Sequence, residues 1–160
     1  MAKKIILWFA VIFWMAVIFS FSAQPAVESD ELSMGIAQKI FEFINGLKDI
    51  PVFSWVGTDN IIVAIGIANH YVRKTAHFMI FAILAVLVYN LMAAYGIKRS
   101  KVVLIAALVC LAYAVSDEIH QIFVPGRAGR IKDVLIDFSG SVSALGIIYL
   151  LFGRRAKCNE

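Results

Sequence analysis

Asp117, Glu118, His120 and Gln121 fall within five consecutive residues, directly after Val102–Val115, a run with no charge at all. An ionisable side chain at the centre of a membrane helix costs roughly 2.5–3.5 kcal/mol on insertion scales, so such a group at the end of an apolar span is a functional candidate by default. The residue types suit acid/base work: an imidazole takes or gives a proton near neutral pH, and a carboxylate beside it sets its orientation. Val124-Pro125-Gly126 then stops the helix with a tight turn, and Arg127, Arg130 and Lys132 follow. An arginine there can hold a phosphate or a developing oxyanion by two parallel hydrogen bonds, a geometry that lysine cannot reproduce. Two further apolar segments carry polar groups at one end: Arg73, Lys74 and His77 on the first, Asp133 and Asp137 on the second.

The elements that must position these groups are membrane helices. Of the 160 residues, 61% are hydrophobic and only 16% charged, and the mean hydropathy is +0.84. Soluble domains sit nearer 45–50% apolar and about 25% charged. The expected architecture is all-α and polytopic, a single membrane domain with four spans at about 4–22, 72–94, 102–123 and 132–152. The first has basic residues and an apolar run like a signal peptide, but it is long and rich in aromatics, and an uncleaved span is the reading preferred. Between spans one and two, Leu32, Ile36, Ile40, Phe43, Ile44 and Leu47 recur at helical spacing. They predict an outer amphipathic helix, capped at Ser29 or Asp30 and broken at Pro51 and Gly57, that lies on the interface or covers the bundle as a lid. Ile61–Ala68 leads on into span two. Cys110, within a span, and Cys158, in a basic tail, predict neither a disulfide nor a metal spacing.

Orientation follows from the basic residues. Eight of the fifteen cations and one of the eleven acids fall on one side, net +7, which is read as cytoplasmic with both termini; the other side carries net −3 and all three histidines. At 1.5 Å per residue His77 lies about 6 Å below Arg73, Asp117 about 9 Å from the end of its span and Asp137 about 8 Å into its own. Three helices thus bring acids and imidazoles to one layer. Asp117, His120 and Gln121 share a face, whereas Glu118 turns about 100° away towards a neighbouring helix or the headgroups. Arg73, Lys74, Arg127, Arg130 and Lys132 ring this layer as a cationic mouth.

These residues resemble the three signatures of the VanZ-like family: Arg73-Lys74-Thr75-Ala76-His77-Phe78, Ser116 to Arg127, and Asp133-Val134-Leu135-Ile136-Asp137-Phe138-Ser139-Gly140. The exit Phe21-Ser22-Ala23-Gln24-Pro25 resembles that family's Ser-Gln-Pro ending of span one, which adds Ser22 and Gln24 to the candidate ligand-binding residues. The resemblance implies a small bacterial cell-membrane protein with an association to low-level teicoplanin resistance, and supplies no reaction. The chain departs from the pattern at Asp137, where the family often has an amide, and at Arg130, where a small polar residue is frequent.

Three functions follow. The first is an outer-face site binding an anionic lipid headgroup or cell-envelope precursor through Arg73, Lys74, Gln121, Arg127, Arg130, Asp133 and Asp137. The second is a membrane-embedded acid/base enzyme acting on a phosphate-containing lipid or precursor, with His77, Asp117, Glu118 and His120 as candidates. The third is a structural or interaction protein whose polar layer pins the bundle. A metal variant would use His77, His120, Asp117 and Asp137, but Asp117-x-x-His120 lacks the second copy of a di-iron motif, and no metal or cofactor is assigned. Membrane lipids are the expected partners and nucleic acid is not one.

Overall fold

A computed structural model describes residues 1–46 and 61–156. The described residues form five helices and no strand: α1 (Ala2–Ser22), α2 (Ala26–Gly46), α3 (Ile61–Ala93), α4 (Arg99–Gln121) and α5 (Ile131–Ala156). Four of them, α1, α3 from Ile65, α4 and α5 to Leu151, are long and apolar enough to cross a membrane. The expected breaks at Pro51 and Gly57, together with Leu47, Lys157 and Cys158, lie outside the described residues.

The spans alternate in direction. The start of α1 meets the end of α3, where Trp8 donates to the Tyr95 hydroxyl at 3.0 Å and Lys4 sits 4.3 Å from the Tyr95 ring centre. At the same end Arg99 of α4 donates to the carbonyls of Ile148 and Tyr149 on α5 and lies over the Tyr149 ring. The opposite end collects the exit of α1, all of α2, the Arg73 region of α3, the turn 122–130 and the start of α5.

Without a hydrophobic drive between helices in lipid, close backbone approach and hydrogen bonds must hold the bundle. Helix α3 is the hub and touches the other four. The buried seam of α4 repeats every fourth residue through Val102, Ala106, Cys110 and Ala114, and that of α5 through Asp137, Ser141 and Leu145. Gly140 lets α5 approach α3 so closely that a Cβ there would run into the Phe78 carbonyl. Ser141 Oγ donates to the Phe81 carbonyl at 3.2 Å, Trp14 Nε1 to Ile80 O at 2.8 Å and Tyr113 Oη to Met15 O at 2.6 Å. The Trp14 and Tyr113 tips thus tie helices together. Phe9, Phe13, Leu104, Leu108, Ile147 and Leu150 point outward, an apolar exterior suited to hydrocarbon. Cys110 is a free, buried thiol packed in the core.

Two expectations change. Helix α3 starts at Ile61 because nothing between there and Arg73 breaks an apolar helix, so Arg73 lies about 12 Å along it from Ile65 and not at its mouth. Helix α2 starts at Ala26, not at Ser29 or Asp30. Pro25 supplies a preset φ before the first turn, and Ser29 N already bonds back to Pro25 O at 3.1 Å. Its small residues Ser33 and Ala37 are buried, while Leu32, Ile36, Ile40 and Phe43 remain exposed as an apolar stripe.

Candidate functional site

Gln121 lies one turn beyond Asp117 on α4, so its amide reaches back: Nε2 donates to Asp117 Oδ2 at 2.9 Å, and both residues are buried. From α3, His77 Nδ1 comes within 3.2 Å of Asp137 Oδ1 on α5. The pair is close but out of line for a hydrogen bond, and both atoms lack a hydrogen-bond partner. His77, Asp117 and Asp137 offer ligand atoms that all lie within 4.8 Å of one another. The acid/imidazole layer expected across three helices is therefore assembled from these residues.

Glu118, expected to turn away from that layer, lies outside it, and His120 leaves it. The Glu118 carboxylate accepts the backbone N–H of Arg130 at 2.7 Å and so caps the approach to α5, where a helix N-terminus favours negative charge. Gly129 allows this, since a Cβ there would meet the Glu118 carbonyl at 2.8 Å. His120 does not face the layer with Asp117 as its spacing suggested. It stacks on Phe19 of α1, ring centres 4.4 Å apart, because α1 packs beside that side of α4.

The cationic mouth is also more engaged than expected. Arg73 pairs with Asp30 of α2 and Lys74 with Asp133 of α5. Arg127 turns to the end of α1, with Nε donating to Gln24 O at 2.9 Å and Nη2 to Phe21 O at 3.1 Å. These carbonyls are the unsatisfied acceptors of a helix C-terminus. Burial holds the Arg127 guanidinium below its ordinary pKa and nearby Arg73 adds to this, while Asp117, Glu118 and Asp30 act the other way. Arg130 and Lys132 are exposed. Gly126, at φ +74°, turns the chain so that Pro125 O accepts the first N–H of α2, from Ala26, at 3.2 Å. Ser22 is buried with an unpartnered Oγ, and Gln24 is half-buried.

Two cavities flank this arrangement. One, of about 280 Å³, lies between the exit of α1, α2 and α3; its walls include Leu32, Ile36, Val72, Ala76 and Ile80, and Gln24, Arg73, His77 and Arg127 also line it. The other, of about 160 Å³, is polar and is lined by His70, Lys74, Gln121, Arg130 and Asp133. Arg73 and Arg127 line both. Asp30 and His70 were missed by sequence reasoning: Asp30 passed as a helix cap, and His70 precedes the expected start of span two.

Neither a curated protein nor a solved structure is significantly similar to the chain. A family model described as VanZ/LLP1 matches residues 7–152, which covers most of α1 and all the site residues above, and the chain accordingly belongs to the VanZ/LLP1 family.

Proposed function

We propose that the protein binds an anionic amphipath, a lipid or lipid-linked cell-envelope precursor, with its charged headgroup at Arg73 and Arg127. The observation that carries this reading is the sharing of both arginines between an apolar and a polar cavity. A hydrocarbon chain suits the apolar side, along Leu32, Ile36, Val72 and Ala76, and a phosphate or carboxylate suits the side lined by Lys74 and Arg130. Arg127 spends two of its five N–H donors on α1 carbonyls and keeps the others. The Arg73–Asp30 pair is partly exposed, at 32% and 50% of the two side chains. Such pairs contribute about 0–1 kcal/mol, so an incoming anion can replace Asp30 at small cost.

The charge asymmetry of the sequence supports placing this end outside the cell and both termini in the cytoplasm. The exposed stripe of α2 then suits the outer interface. In that position a family-linked contribution to teicoplanin resistance would act by holding an envelope component at the outer leaflet.

The test is binding of an anionic phospholipid and its zwitterionic counterpart with identical chains to the purified protein, measured by native mass spectrometry. The anionic lipid should be retained at least tenfold better, with Arg73→Gln abolishing the preference. Equal retention of both lipids would refute the reading.

A further inference from the structure

Asp137 is completely enclosed, at 0% exposure, and Asp117 nearly so, at 3%. Both oxygens of Asp137, Asp117 Oδ1 and His77 Nδ1 are buried without hydrogen-bond partners. Buried carboxylates are normally paired, hydrogen-bonded or bound to metal, because an isolated one is very costly in a medium of low polarity. Apart from the imidazole of His77 itself, 3.2 Å from Asp137, the cationic side chains nearby are engaged elsewhere, Lys74 with Asp133 and Arg127 with α1. Three helices therefore point unpartnered ligand atoms at one spot.

We propose that His77 Nδ1, Asp117 Oδ1 and a carboxylate oxygen of Asp137 form a binding site for a divalent transition cation of the Zn²⁺ or Mn²⁺ class. One imidazole with two carboxylates is a donor set for such ions. Two ligand atoms about 2.1 Å from a metal at a tetrahedral angle lie roughly 3.4 Å apart, and His77 Nδ1 and Asp137 Oδ1 are separated by 3.2 Å. Asp117 also offers a carboxylate oxygen within 4.8 Å of ligand atoms of the other two residues, so a small side-chain adjustment closes the set. A dication cancels the charge of the two carboxylates, which answers the burial problem directly. Gln121, donating to Asp117 Oδ2, leaves Oδ1 for the metal and fixes the carboxylate from behind, as outer hydrogen bonds do in metal sites. With three protein ligands, at least one position stays open for water or for an oxygen of a bound anion. His77 also lines the apolar cavity, which places the site beside the proposed ligand without depending on it.

The competing arrangement is a proton shared among the same groups, and the experiment separates the two. Chelator-treated protein in detergent, free of added lipid, is titrated with Zn²⁺ and with Mn²⁺ by calorimetry and thermal unfolding. One saturable equivalent should bind and raise Tm. Asp137→Asn and His77→Gln should each lower affinity tenfold or more, and metal-free Asp137→Asn should melt no lower than metal-free wild type, since it loses a buried charge. No saturable binding of either ion, or binding unchanged in both variants, would overturn the site. Should the variants not fold, Co²⁺ decides in the wild-type chain: visible d–d bands that Zn²⁺ displaces support the site, and a spectrum identical to that of free Co²⁺ rejects it.

Discussion

Replacing Arg127 by alanine removes two hydrogen bonds that join the 122–130 turn to the exit of α1, from Nε to Gln24 O at 2.9 Å and from Nη2 to Phe21 O at 3.1 Å. Hydrogen bonds from a charged donor contribute roughly 1.5–3 kcal/mol each when sheltered. Here one is half-buried and the other exposed. The low end applies, for a total loss of about 2–3 kcal/mol, a roughly 30- to 150-fold shift in the folding equilibrium. Lysine presents one ammonium to one carbonyl at a time, so Arg127→Lys should recover about half of that loss. The sequence alone suggested that Lys would fail almost as completely as Ala, on ligand-binding grounds; the α1 contacts predict an intermediate. The assay is reversible unfolding of the purified protein in mixed micelles without added lipid, followed by circular dichroism. Lys132→Gln serves as control, since this exposed side chain should leave stability close to wild type. Arg127→Ala as stable as wild type would refute the clip.

The closest helix contact gives a second prediction. Gly140→Ala places a Cβ against the Phe78 backbone and should cost about 3 kcal/mol or more, visible as loss of folded protein from the membrane. Gly146→Ala in the same helix meets nothing within 4 Å and should be neutral or slightly stabilising. A topology reporter inserted between residues 47 and 60 should read outside, while reporters after Lys101 and at Glu160 read inside; a cytoplasmic signal from the first would place the candidate site on the wrong face.

Much of the fold was legible because it rests on local periodicity. Four apolar runs of membrane length became α1, α3, α4 and α5, and the Leu32–Ile36–Ile40–Phe43 spacing became α2. The Asp117–Gln121 contact follows from the turn of one helix, and the depth of Asp137 can be counted from the start of α5 at 1.5 Å per residue, whereas the count for His77 began at Arg73, well inside α3. What failed depended on the rotation and neighbours of each helix. Spacing puts His120 within reach of the Asp117 face, but the position of Phe19 decides which way the ring packs. The turn of Glu118 away from Asp117 was legible but its partner, the Arg130 N–H, was not, and Arg127 serving residues more than 100 positions away leaves no local mark. The Arg73–Asp30 and Lys74–Asp133 pairs were hidden for the same reason, since basic residues expected to wait for a ligand met acids from other helices.

The most direct test of the proposed ligand site is a structure of the protein in a bilayer containing an anionic phospholipid. The account predicts a phosphate within hydrogen-bond distance of Arg73 and Arg127, Asp30 displaced from Arg73, and an acyl chain lying along Ile36, Val72, Ala76 and Ile80 of the apolar cavity. Arg73 still paired with Asp30, with no lipid in the apolar cavity even in an anionic bilayer, would contradict it.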